Sequence, residues 1–171
     1  LSLDPTSAFI AGEAAELALE IEDRERAEKW ARRRLELAPG DPKSRLILGR
    51  VLWAQGDVSA AEAELREVLK AEPASEEAVF ALVELMAVRE PQRARELLEK
   101  FLKANGEHTA RALYELGRLD AQEERYGDAI DKLKGSIALD DSESGPARLA
   151  LAQVYEIRRD SAAAITEYKH L

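Results

Sequence analysis

Residues 46–73 read LILGRVLWAQGDVSAAEAELREVLKAEP, and the fold can be predicted from this stretch. Apolar residues recur on one face of a first helix, Lys43 to Gln55, and on one face of a second, Ser59 to Ala71. The pair Gly56-Asp57 provides a turn between them, and Pro73 prevents the second helix from continuing. The stretch therefore predicts a helix–turn–helix unit with one apolar stripe on each helix.

The same unit returns along the chain with a period of 34 residues. Pro5, Pro39 and Pro73 follow one another at that interval, and Gly49 and Gly117 lie two intervals apart. We predict a single domain over residues 1–171, with repeats at 8–41, 42–75, 76–109, 110–144 and 145–171, the last one incomplete. Residues 1–7 resemble the tail of a preceding repeat, which predicts that the chain is a piece of a longer array.

Small residues recur at one position of each helix, which predicts that the two helices of a unit approach closely where they cross. These residues are Ala15, Gly49, Gly117 and Ala152 in the first helices, and Ala27, Ala61, Ala129 and Ala164 in the second. The third window departs from the pattern. Its Ala94 comes one residue early, which predicts a short turn around Arg89–Gln92, while Pro91 and Pro146 are placed to begin helices.

Composition narrows the function classes. The chain has no cysteine, which argues against disulfides and thiol chemistry. Its net charge of −9 argues against nucleic acid and anionic membrane surfaces as the main partners. Its most apolar stretch, Ala78 to Val88, contains Glu84 and is too short to insert into a membrane. Neither charge nor cysteine content selects a compartment, so cytoplasm and periplasm are both compatible.

No motif predicts catalysis, a cofactor or a metal site. The two histidines, His108 and His170, share no ligand-like spacing. Residues 40–44 (GDPKS) lack the glycine before lysine and the preceding strand of a phosphate loop. The run Arg32-Arg33-Arg34 is interpreted as a solvated helix face. We therefore expect no enzymatic activity.

The windows resemble tetratricopeptide repeats. The resemblance is carried by Leu48-Gly49-x2-Leu52 with Ala61-x3-Leu65 and Pro73, and by Leu113-x2-Leu116-Gly117 with Ala129-x3-Leu133. It implies an all-α, right-handed solenoid of about five stacked helix–turn–helix repeats. It also implies that the first helices line a concave surface on which protein partners bind.

In this register one set of residues is predicted to line a partner-binding groove: Leu46, Arg50, Trp53, Phe80, Tyr114, Arg118, Leu149 and Gln153. An apolar ladder flanked by Arg50 and Arg118 suits an amphipathic helix or an extended peptide that carries carboxylates. The alternative is that the apolar members of this set serve packing within each repeat.

The predicted function is a protein–protein interaction module or scaffold. Seventeen arginines against eight lysines resemble the composition of proteins from GC-rich bacteria, where such arrays serve envelope, secretion or polarity complexes. Two alternatives stay open. The array is a targeting arm of a larger enzyme, or it self-assembles through apolar residues at its ends, Leu1, Leu3, Ile165 and Tyr168.

Overall fold

The structure is a computed structural model that describes residues 7–105, 109–140 and 144–171. Within these ranges the chain forms ten helices and no strand. They are α1 (Ala8–Glu20), α2 (Arg24–Leu37), α3 (Pro42–Gln55), α4 (Val58–Ala71), α5 (Glu76–Met86), α6 (Pro91–Asn105), α7 (Ala110–Gln122), α8 (Tyr126–Leu139), α9 (Gly145–Ile157) and α10 (Ser161–Tyr168). The predicted all-α fold class is confirmed, and the two helices predicted at 43–55 and 59–71 agree with α3 and α4 within one residue.

Some expectations fall outside the described residues. The tail predicted at residues 1–7 is described only at Ser7, and His108 lies in the undescribed range 106–108. Within the described ranges, no helix is both long enough and apolar enough to cross a membrane.

Short polar residues and prolines fix where the helices begin. Asp23 and Asp57 each accept a hydrogen bond from the backbone N–H three residues later, at 3.2 and 3.1 Å, and so satisfy a donor that the first turn leaves free. Pro91 is the first residue of α6 and Pro146 the second of α9, as predicted. Proline is favoured there because the first turn does not need its missing N–H.

In four of the five hairpins the turn has a left-handed residue at the same repeat position. Gly56 has φ +88° there, and Glu22, Glu124 and Arg159 occupy the same repeat position with φ of 58°, 60° and 62°. Glycine adopts this conformation without strain, whereas a residue with a Cβ does so at a cost. In these four hairpins the repeat therefore imposes one turn geometry on residues of different type, whereas the longer connection between α5 and α6 does not adopt it.

The expectation of a short turn in the third window is wrong. The connection at residues 87–90 has four residues, more than the two between α3 and α4. Ala94 comes one residue early because the first helix is short: α5 has 11 residues whereas α3 has 14, which more than offsets the longer connection.

The chain divides into two compact units, Leu1–Arg89 with α1 to α5 and Glu90–Leu171 with α6 to α10. In the first unit α1 packs on α2 and α3 on α4, and the first helices α1, α3 and α5 also contact one another in sequence. In the second unit α7 packs on α8 and α9 on α10, and α7 contacts α9. Within each unit the first helices thus form one layer, and each second helix packs against first helices.

The predicted close crossings are confirmed. A Cβ added at Gly49 would lie 3.0 Å from Leu65 Cγ, and one added at Gly117 would lie 2.8 Å from Leu133 Cγ. Carbon atoms in contact normally stay about 3.5–4.0 Å apart, so an added methyl group would force Leu65 or Leu133 to move from its observed position.

Charged side chains are buried around Arg34, around Asp120 and at Glu115, none of which was predicted from the sequence. Arg34 was interpreted as part of a solvated face, but it is buried and donates hydrogen bonds to the Ala8 carbonyl at 2.8 Å and to the Asp41 carboxylate at 2.7 Å. Gly12 makes this possible, because a Cβ there would lie 2.5 Å from Arg34 Nη1. The interpretation was wrong for Arg34, since a neighbouring run of arginines does not reveal which one faces inward.

The second buried charge is Asp120, at the end of α7, which is 0% exposed. Its carboxylate pairs with Arg95 of α6 at 2.9 Å, with Arg125 at 2.5 Å and with Lys132 of α8 at 2.6 Å. A buried carboxylate is tolerated only when it is paired and hydrogen-bonded. This ion network therefore joins three helices of the second unit.

Candidate functional site

A mainly apolar cavity of about 490 Å³ lies in the second unit between α7 and α9. Its lining includes four of the residues predicted to line a groove: Tyr114, Arg118, Leu149 and Gln153. Volumes of this order are typical of pockets that hold small molecules or a few side chains of a partner. The cavity is the candidate functional site.

The repeat places these four side chains. Tyr114 and Arg118 are four residues apart on α7, and so are Leu149 and Gln153 on α9, so each pair lies on one face of its helix. Tyr114 and Leu149 occupy the same position of successive repeats, and so do Arg118 and Gln153. Apolar residues continue the lining one turn further along, at Ala121 and Ile157.

Arg118 provides the charge of the site. Its Nη1 donates to Glu115, which is nearly buried, at 3.0 Å, and its guanidinium carbon lies 5.6 Å from the centroid of the Tyr114 ring. The carboxylate and the ring hold the guanidinium from the α7 side, while the side chain stays 42% exposed. The geometry presents an oriented cation at an apolar wall.

Tyr114 also has a structural role. It is half-buried and packs against the hydrophobic core of the second unit, which includes Leu133 and Leu151. Leu149, by contrast, is 43% exposed. A change at Leu149 therefore tests the cavity with less damage to the core than a change at Tyr114.

The first unit contains the other predicted groove residues. Leu46 is half-buried near the start of α3, and Trp53 is partly exposed near the end of the same helix. Arg50 is exposed and forms an ion pair with Glu16 of α1, with Nη1 and Oε1 3.6 Å apart. None of these residues lines the cavity between α7 and α9.

Phe80 presents no surface to a partner, because its side chain is only 1% exposed. It lies on α5, where seven of the 11 residues are buried. In so apolar a helix, the position predicted to face the groove is used for packing. This is the alternative stated for the apolar members of the predicted groove residues.

One apolar site was missed. A cavity of about 320 Å³ in the first unit is lined by Ile10, Leu17, Ile21 of the α1 region and by Trp30 of α2. The signal was present, because α1 carries apolar residues on more than one face: Ala11 and Ala15 are buried, whereas Leu17 and Ile21 are exposed.

The described residues contain no group of three or more histidine, aspartate or glutamate side chains placed to hold a metal ion. His170, the histidine that the structure describes, is exposed next to the end of the chain.

Comparisons with known proteins agree with this architecture. Models of the tetratricopeptide repeat match residues 42–85 and 81–144. The fold is similar to that of MamA from Desulfovibrio magneticus RS-1, with TM-score 0.74, 20% identity and coverage of 98% of this chain and 94% of the other. It is also similar to PilF of Pseudomonas aeruginosa, with TM-score 0.82, 16% identity and coverage of 95% and 74%.

A third solved structure with this fold is YrrB, described as a tetratricopeptide-repeat protein with an unusual peptide-binding site. Its TM-score is 0.64 at 17% identity, with coverage of 96% of this chain and 84% of the other. A search of curated proteins gives no significant match. The two family models together span residues 42–144, more than half of the sequence. The chain belongs to the tetratricopeptide-repeat family.

Proposed function

We propose that this protein is an interaction module and that the cavity between α7 and α9 holds a segment of a partner protein. The observation that carries the proposal is the cavity itself, in which exposed apolar side chains and an oriented arginine lie together. Binding sites commonly combine an apolar lining with a few placed polar groups. Family membership supports a role in protein interaction, and the peptide-binding site described for YrrB fits the same type of function.

Leu149 is the natural position for a test. A glutamate there places a charge on the apolar wall, where a bound side chain would have to desolvate it. Leu139 provides a matched control: it is a leucine of the same unit, 44% exposed against 43% for Leu149, and it does not line the cavity. The two substitutions thus differ in location and hardly at all in exposure.

The experiment compares Leu149→Glu, Leu139→Glu and the wild type as baits in a pull-down from the lysate of the native host. Retained proteins are identified by mass spectrometry and then titrated in purified form by calorimetry. We expect a protein that binds the wild type and Leu139→Glu but not Leu149→Glu. All three baits must show the same helical circular dichroism. A partner that binds Leu149→Glu as tightly as the wild type refutes a site between α7 and α9.

The composition extends the proposal to a setting. The excess of arginine over lysine supports a bacterial envelope, secretion or polarity complex as the assembly in which the module acts. Localisation of a fluorescent fusion in the native host tests this. A uniformly distributed signal that does not change on deletion of the captured partner contradicts it.

Self-association is a second candidate, supported by the apolar cavity of the first unit. Leu17 and Ile21 are both more than half exposed there, and Glu13 and Arg26 lie at the same cavity. One carboxylate and one guanidinium on the same surface make it self-complementary in a two-fold dimer. Light scattering at two concentrations, with Ile21→Glu as the comparison, tests this. A wild-type protein that stays monomeric at both concentrations refutes it.

A further inference from the structure

We propose that the partner segment carries one carboxylate beside an apolar side chain and that Arg118 selects it. This inference rests on the proposed function of the cavity between α7 and α9. It adds the chemistry of the occupant: an acidic–apolar segment of another protein.

The first argument is the charge of the cavity. Among the described residues that line the cavity, Arg118 is the one charged side chain. The Arg118 guanidinium donates one hydrogen bond to Glu115 of the same helix, and the Tyr114 ring limits where the guanidinium can move. A planar guanidinium held in this way is suited to a carboxylate, which it can bind in a bidentate geometry.

The second argument concerns the α9 side of Arg118. Arg50 stands at the repeat position of Arg118, 68 residues earlier, and Glu16, one repeat before Arg50, pairs with it. A carboxylate on an adjacent first helix can therefore reach an arginine at this position. On α9, one repeat after Arg118, the residue is the neutral Gln153. Glu115 holds the guanidinium from the α7 side, whereas Gln153 leaves its α9 side to a carboxylate of the partner.

The third argument concerns spacing. Tyr114 and Arg118 are four residues apart on α7, so their rows are separated by about 6 Å along the helix axis, at a rise of about 1.5 Å per residue. Side chains on one face of an extended peptide repeat at about 6.6 Å, and those three or four residues apart on a helix lie about 5–6 Å apart. The apolar residue and the acid should therefore be two residues apart in an extended segment, or three to four in a helix.

The overall charge limits how acidic the segment is. A chain with a net charge of −9 repels a polyacidic partner at long range, while the Arg118 contact acts only at short range. Screening at physiological salt confines interactions between exposed charges to about 8 Å. One carboxylate at Arg118 gains the local attraction, whereas further carboxylates add repulsion.

The test uses a phage-displayed library of random dodecapeptides, selected on the wild-type protein. We expect enrichment of peptides with a single aspartate or glutamate at the predicted spacing from a large apolar residue. The best peptide is then synthesised together with its amide analogue, Asp→Asn or Glu→Gln. Fluorescence polarisation measures the dissociation constants of both for the wild type, Arg118→Gln and Arg50→Gln.

The wild type should bind the acidic peptide about tenfold more tightly than the amide, since a charged hydrogen bond contributes about 1.5 kcal/mol and 1.4 kcal/mol is a factor of ten. Arg118→Gln should reduce this ratio to less than about twofold, while Arg50→Gln should keep it. Equal discrimination by Arg118→Gln and the wild type overturns the inference, and so does a selection without acidic residues.

Leu149→Glu separates this inference from the proposed function. If selected peptides lose affinity for Leu149→Glu but show no acid preference, the cavity binds peptides and only the role of Arg118 is wrong. If they bind Leu149→Glu as well as the wild type, the site lies elsewhere and both proposals fail. A library that yields no binder to the wild type also counts against both.

Discussion

One methyl group at the crossing of α7 and α8 should destabilise the second unit. In Gly117→Ala the new Cβ would lie 2.8 Å from Leu133 Cγ and 3.3 Å from the carbonyl oxygen of Ala129. Leu133 is fully buried and packs in the core cluster, so it has little room to rotate away. The helices must therefore separate locally, or the leucine must leave its preferred rotamer.

The magnitude follows from two opposing effects. Overpacking of a dense core costs about 1–3 kcal/mol. Replacing glycine by alanine inside a helix recovers about 1 kcal/mol. We expect Gly117→Ala to lower the free energy of unfolding by about 1 kcal/mol. Gly127→Ala is the control, because a Cβ there meets nothing within 4 Å, so this substitution should leave stability unchanged or raise it slightly.

Urea denaturation followed by far-UV circular dichroism measures both variants. Tryptophan fluorescence is less suitable, because Trp30 and Trp53 both lie in the first unit. The decisive comparison is the same substitution in a Leu133→Ala background, where the obstructing side chain is gone. Gly117→Ala should then become stabilising. If it stabilises the protein with Leu133 in place, or if its effect is the same in both backgrounds, the steric reasoning is wrong.

Three further substitutions probe other features. Asp120→Ala should cost about 3 kcal/mol, measured by chemical denaturation, because it removes the buried carboxylate that pairs with Arg95 and leaves this nearly buried guanidinium with Glu123 as its counter-ion. Gly56→Ala should cost about 1 kcal/mol in the same assay, because φ is +88° there. The pKa of Glu28 is lowered, first by a hydrogen bond from Gln55 and then by Arg32, so its contribution to stability is present above the ordinary glutamate pKa and is lost as pH falls through the lowered one. Gln55→Leu should raise the pKa of Glu28 toward its ordinary value in a carboxyl NMR titration, and an unchanged pKa contradicts this assignment.

The repeat period made the helices predictable. Pro73 and Gly56-Asp57 mark the ends of helices by local rules that hold in any context, and Gly49 and Gly117 mark crossings because bulk is excluded there. These signals act over a few residues or recur at a fixed interval. A single sequence is enough to find them.

Burial within the predicted register was harder to predict. Phe80 and Leu149 occupy corresponding positions, yet one is buried and the other is exposed. The difference depends on the volume of the side chains on other helices. The helical period of the sequence carries no information about that volume. The same holds for Arg34 and Asp120, whose partners Ala8 and Arg95 are 26 and 25 residues away in sequence. The grouping of Tyr114, Arg118, Leu149 and Gln153 at one cavity was available from the register, but the cavity itself was not.

The ion network around Asp120 restricts how this protein can be divided. Its sequence looks modular, with each repeat an interchangeable block. Arg95 belongs to the third repeat, however, whereas Asp120, Arg125 and Lys132 belong to the fourth. A fragment that begins at Ala110 would retain the carboxylate and lose one of its counter-ions, and a foreign repeat grafted before α7 would need to supply an arginine at the same place. Shuffling of repeats, in evolution or in the laboratory, therefore has to move α6 together with α7 and α8.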